Sequence, residues 1–174
     1  MGKGLVIGFL LGVLALVACV YVYFATGRAS VAMSDPDMPF EKMLAHKALH
    51  ARIDSEKPQD SPVPADEANF LAGADIYRKN CAVCHGLPNQ PQTPIAQGLR
   101  PKPPQLFHGT GVTDDPAWET FWKASNGIRM TGMPGFKGQL SDTQLWQVSQ
   151  LLANADKIPD SVKTALASGA PPAR

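Results

Sequence analysis

Cys81-Ala82-Val83-Cys84-His85 decides how this chain is read. Two thiols three positions apart, with an imidazole next in line, suit three kinds of chemistry. They can add to the two vinyl groups of one porphyrin, which sets the histidine under the iron as a proximal ligand. They can act as a redox dithiol, or they can supply half of a zinc site. A thioredoxin-like dithiol needs a strand–helix setting, and no alternating strand pattern occurs in the chain. Zinc needs a second ligand pair, which is absent. The motif therefore predicts covalent attachment of one c-type haem through Cys81 and Cys84, with His85 on the iron. Three cysteines are also too few for a disulfide scaffold.

Outward from the motif the pattern is helical. Glu67–Asn80 reads as a helix running into Cys81. Asn89 to Phe107 holds Pro91, Pro94, Pro101, Pro103 and Pro104 and is expected to be loop. Asp115 is expected to cap a helix with Pro116 in its first position, ending at Asn126-Gly127. Ser141 and Gln144 form a capping-box signature for a helix through about Asn154. A final short helix is expected near Ser161–Ala167. The fold class that follows is all-α, with no internal repeat.

Gly73, Tyr77 and Cys81 stand four apart, and Ser141-Asp142-Thr143-Gln144-Leu145-Trp146 opens the last long helix. With the cysteine motif, these features make Asp66 to Lys157 resemble the class I monohaem cytochrome c family. The resemblance implies that Gly73 and Tyr77 pack against the last helix, at Leu151 or Leu152. It implies a second axial ligand from a methionine in the loop before that helix. Gly132-Met133-Pro134-Gly135-Phe136 matches that loop and makes Met133 the candidate, with Met130 as competitor. Pro103 or Pro104 is expected to offer its carbonyl to the ring N–H of His85. Phe107, Trp118, Phe121, Trp122, Phe136 and Trp146 are expected as haem-pocket or core aromatics. His85 and Met133 on either side of the iron leave no open position, so the resemblance implies one-electron transfer rather than catalysis, with redox proteins as donor and acceptor. The alternative is a haem enzyme or gas sensor with an open sixth position.

The chain before Asp66 has a different composition. Leu5 to Ala25 carries no charge and is long enough to cross a hydrocarbon core of roughly 30 Å. Tyr21, Tyr23 and Phe24 suit an interfacial belt at its far end. Residues 1–26 are therefore expected as a transmembrane anchor. The rival reading is a lipoprotein signal, since Leu16-Val17-Ala18-Cys19 resembles a lipobox, although Val20 to Phe24 stay apolar. Gly4, Gly8 and Gly12 would line one helix face, a candidate contact for another membrane helix. Residues 27–65 read as a proline-punctuated tether with a short helix near Pro39–Ile53, followed by the cytochrome c-like domain at 66–158 and a tail at 159–174. His46 and His50, four apart on the tether helix, and His108 are expected as solvated histidines. Covalent haem attachment implies a bacterial cytoplasmic (inner) membrane protein, single-pass, with the haem domain in the periplasm. The net charge of +1 offers nothing for nucleic acid. From Asp66 on, ten basic residues face nine acidic ones, so whole-domain charge predicts no strong steering.

Overall fold

The computed structural model describes residues 2–108 and 113–168. Gly109, at the end of the His108 segment, and residues 169–174 of the expected tail lie outside the described residues. Those described contain eight helices and no strand, as the fold class required. The chain folds as two compact units, the first ending at Lys47 and the second beginning at Ala48.

In the first unit, α1 (Gly2–Ala25) is 24 residues long and, by length and composition, apolar enough to cross a membrane. It closes at Gly27, whose φ of +71° is in the left-handed region that glycine enters without a Cβ penalty. A Cβ added at Gly4, Gly8 or Gly12 would meet nothing within 4 Å. Helix α2 (Glu41–Asp54) begins where the Glu41 carboxylate accepts the Met38 N–H at 2.8 Å.

The second unit starts within α2. Ile53 is 1% exposed. Arg52 lies 5.8 Å from the Trp122 ring centroid, and His50 Nδ1 stands 3.7 Å from a Glu119 carboxylate oxygen. Further on, Val63 is buried and its carbonyl accepts from Gln150 Nε2 at 3.1 Å. The later part of the segment read as a tether thus packs with the residues that follow it, because Ile53 and Val63 remove apolar surface from water.

The scaffold of this unit is the crossing of α3 (Glu67–Asn80) and α7 (Asp142–Ala153). Asp66 caps α3 by accepting the Asn69 N–H at 2.9 Å. Ser141 and Gln144 form the expected reciprocal capping box on α7. The helices meet at Gly73, where a Cβ would fall 2.5 Å from the Gln147 carbonyl oxygen and 3.1 Å from Leu151 Cβ. Hydrogen alone fits there. Leu151 is fully buried against this face while Leu152 is only partly covered, which decides between the two expected partners. Helix α8 (Asp160–Ala167) adds Val162 and Leu166 to the core, and Ser161 donates to the Glu67 carboxylate.

Three shorter helices surround the cysteine motif. They are α4 (Ala82–His85), α5 (Pro94–Gln97) and α6 (Ala117–Asn126). The stretch expected as pure loop therefore contains one helical turn. Thr93 caps it and Pro94 takes its first position, where a missing N–H costs nothing. Helix α6 starts one residue later than expected: Pro116 is its N-cap and Asp115 does not cap it. The Asp115 carboxylate instead holds the Lys123 ammonium at 2.6 Å. Phe121 of α6 stacks on Trp146 of α7, with centroids 4.3 Å apart and planes 14° from parallel.

Candidate functional site

Helix α3 delivers the motif. The Cys81 N–H still donates to Tyr77 at 2.8 Å, and the Cys81 carbonyl accepts the His85 N–H at 2.9 Å. Cys81, Cys84 and His85 are thus held on one tight turn, which ends at Gly86 with φ +76°. Both thiols are free. Burial pushes the Cys81 thiol up to about 12, with the neighbouring Cys84 adding to the rise, and burial also raises Cys84. A thioredoxin-type nucleophile has the opposite shift. No three His, Cys, Asp or Glu side chains come together as a metal cluster among the described residues, so the two cysteines lack the partners of a zinc site.

His85 is oriented from outside the motif. Its Nδ1 lies 2.8 Å from the Pro104 carbonyl oxygen. A carbonyl only accepts, so the ring proton sits on Nδ1 and Nε2 keeps its lone pair. Burial lowers the His85 pKa while the Pro104 carbonyl acts against it. The imidazole is therefore kept neutral and directed, as a metal ligand must be. Of the two expected prolines, Pro104 makes this contact.

Two further groups fix the turn. The Tyr77 hydroxyl, fully buried, donates to the Gly86 carbonyl at 2.7 Å. Burial, with Cys81 nearby, raises the phenol pKa, so it remains a donor. Phe107 meets the Tyr77 ring edge-on at 5.0 Å. On the other side of Gly86 lies Gln105, whose side-chain oxygen would stand 2.7 Å from a Cβ built on that glycine. The sequence marks Tyr77 only as a packing residue and does not single out Gln105. Its place directly after Pro104 is the signal that could have found it. Gln105 Nε2 and Arg78 Nε are buried with no hydrogen-bond partner in the protein.

The methionine loop folds back on the end of α6. Gly127 (φ +68°) and Gly135 face each other so closely that a Cβ on Gly127 would lie 2.5 Å from the Gly135 nitrogen. Ile128 donates to the Met133 carbonyl at 3.1 Å, the Met133 N–H donates to Thr131 Oγ1 at 3.1 Å, and Phe136 donates to Ala124 at 2.9 Å. Met133 is half-buried in this loop, whereas Met130 is 92% exposed at φ +61°. A Cβ on Gly132 would meet Leu99 at 2.6 Å, which joins this loop to the segment after α5. His108 is exposed, and His50 faces Glu119 rather than a second histidine.

Two free thiols on one turn and a neutral imidazole with its second nitrogen available fit a covalently bound porphyrin. The unpartnered Nε2 donor of Gln105, beside Gly86, suits a polar substituent of such a group. Residues 68–152 match the family model described as cytochrome C oxidase, cbb3-type, subunit III. No curated protein matches the chain.

Proposed function

We propose that residues 68–152, which match the cbb3-type cytochrome C oxidase subunit III family model, form a cytochrome c domain with covalent c-type haem, and that the chain carries single electrons with His85 and Met133 as the two axial ligands. When bound, the haem supplies reversible ferrous–ferric chemistry. Cys81 and Cys84 hold it covalently, and Pro104 keeps the His85 ring in one tautomer. The observation that carries the reading is the Nδ1 contact of 2.8 Å between His85 and Pro104, beside two free thiols. Support for Met133 as the second ligand comes from its half-buried place in the glycine-pinned loop, against the outward position of Met130. Ligation from both faces leaves no position for substrate, so the chain acts as an electron-transfer protein and not as an enzyme.

The test is optical. The full chain, expressed with a haem c maturation system, is expected to show a methionine–iron charge-transfer band at the red end of its oxidised spectrum. Met133→Ala removes the band and admits carbon monoxide to the ferrous form, while Met130→Ala leaves both unchanged. A wild-type protein that lacks the band and binds carbon monoxide rapidly would establish the alternative, an enzyme or gas sensor with an open sixth position.

The same reading puts the domain on the periplasmic face of a bacterial cytoplasmic membrane, held by α1 as a single-pass anchor. Support comes from the length and apolar composition of α1 and from the site of covalent haem attachment in bacteria. Two arrangements follow. A tethered shuttle uses the segment after α1 to move between donor and acceptor. A fixed subunit of a respiratory or dehydrogenase complex is favoured by the Gly4, Gly8, Gly12 face and by the description of the matching family as an oxidase subunit. Purification in mild detergent separates them, because a single-component particle is the shuttle's result. Intact mass reports whether Cys19 is lipidated or the N-terminus retained.

A further inference from the structure

Helix α2 carries apolar side chains on two opposite sides. Leu49, half-buried, and Ile53, fully buried, lie toward its end and belong to the second unit. Met43 and Leu44, near its start, are each 56% exposed, and helix geometry sets them with Lys47 on the other side. Phe40, whose carbonyl accepts the Leu44 N–H at 2.9 Å, is 70% exposed. Val31 and Met33, in the segment before it, are exposed as well.

The carboxylates of the same stretch are turned to local partners. Asp35 accepts the N–H groups of Val31 and Ala32 at 2.9 and 2.8 Å. Asp37 holds the Lys42 ammonium at 2.7 Å, and Glu41 accepts the Met38 N–H at 2.8 Å. These acids therefore fasten turns and the helix start, while Arg28 and Lys47 are exposed cations. Polar groups satisfied within the stretch, with large apolar side chains left outside, suit the boundary between headgroups and acyl chains.

The path of the chain brings this stretch to α1. At Gly27 the backbone turns, and Arg28 lines a groove with Ala18, Cys19, Val22 and Tyr23 of α1. Arg28 is thus beside residues that begin roughly two turns before the helix ends. The chain through Lys47 belongs to the same compact unit as α1. A second protein could also cover an apolar face, but a segment folded against the end of a membrane-length helix meets lipid first.

We propose that residues 31–47 lie in the lipid surface at the end of α1, with Phe40, Met43 and Leu44 inserted and Arg28 and Lys47 reaching lipid phosphates. The inference rests on α1 as the membrane anchor and adds a second contact, in the plane of the bilayer. Lysine and arginine serve such a contact because their stems cover apolar surface while their charges stay at the headgroups. Part of the segment expected as a tether is then held on the membrane.

The test is photo-crosslinking of the full haem-loaded chain in vesicles of phosphatidylethanolamine and phosphatidylglycerol in equal parts. A benzophenone amino acid is placed in turn at Leu44, at Ala45 on another side of α2, and at Leu14 within α1, and adducts are read by intact mass. Phospholipid adducts are expected at Leu14 and Leu44, with a severalfold lower yield at Ala45. Phe40→Ser with Met43→Ser is expected to cut the Leu44 yield severalfold and leave the haem spectrum as it was. Lipid adducts at Leu14 without any at Leu44, a protein adduct at Leu44 in their place, or a Leu44 yield that the double variant does not change would each overturn the proposal. Absence of lipid adducts at Leu14 overturns the anchor reading instead, so the two failures are distinct.

Discussion

The α3–α7 crossing and the loop face that carries the methionine are built by different means. At the crossing the polypeptide completes its own packing: Ala74, Tyr77, Leu145 and Leu151 are fully buried, and Gly73 brings two backbones into contact. On the loop face, Trp118, Phe121, Trp122, Ile128 and Phe136 are only half-buried. There the glycine-pinned methionine loop closes on itself and on the end of α6, Phe136 donating to Ala124 at 2.9 Å and Ile128 to Met133 at 3.1 Å. Stability is thus written mainly into the first region, and the second holds the loop of the proposed Met133 ligand. Changes in the two should move different observables.

Gly73→Ala tests the first region most severely. Its methyl meets a carbonyl oxygen at 2.5 Å, and backbone cannot turn aside as a side chain would. The expected loss is about 3 kcal/mol, read as a lower denaturation midpoint, with the red charge-transfer band of the surviving folded protein retained. Loss of the band at full stability would mean that the two regions are not separable in this way.

Lys123→Met probes the seam between them. It leaves the Asp115 and Glu119 carboxylates without their shared cation, for an expected cost of about 2 kcal/mol at neutral pH. Burial alone would lower the Lys123 pKa, but the hydrogen bonds and charges of the two carboxylates hold it above the ordinary value of 10.5. The contribution is then complete below 10.5 and lost as the pH climbs through the raised folded value. Midpoints of wild type and variant, followed by circular dichroism, should converge on that alkaline side.

Ser141→Ala is the mildest change. It removes the oxygen that accepts the Gln144 N–H and half of the capping box on α7. About 1 kcal/mol is expected in chemical denaturation, with no shift of the haem spectrum.

Sequence alone revealed the first region better than the second, and the reason is physical range. The ends of α3 and α7 are set by residues within a turn of them, such as Ser141 with Gln144 or Asn80 before Cys81. Asp115 misled because a long-range partner, Lys123, competed with a local role and won. The placing of Arg52 over the Trp122 ring depends on a helix some seventy residues later in the chain (roughly, by count) and leaves no local mark. In the site, the cysteine motif declared itself by spacing. The choice of Pro104 over Pro103, and the position of Gln105 over Gly86, needed the loop's path in three dimensions.

The bond from Tyr77 to the carbonyl after His85 has one more consequence. It anchors the histidine end of the motif to the last turn of α3, while Gln105 crowds the same glycine. The peptide that follows the histidine is thereby tied to a fully buried side chain of the core, and the ring itself is held by the Pro104 carbonyl. A centre mounted in that way relaxes little when its charge changes, and a small nuclear displacement is what fast exchange of an electron requires.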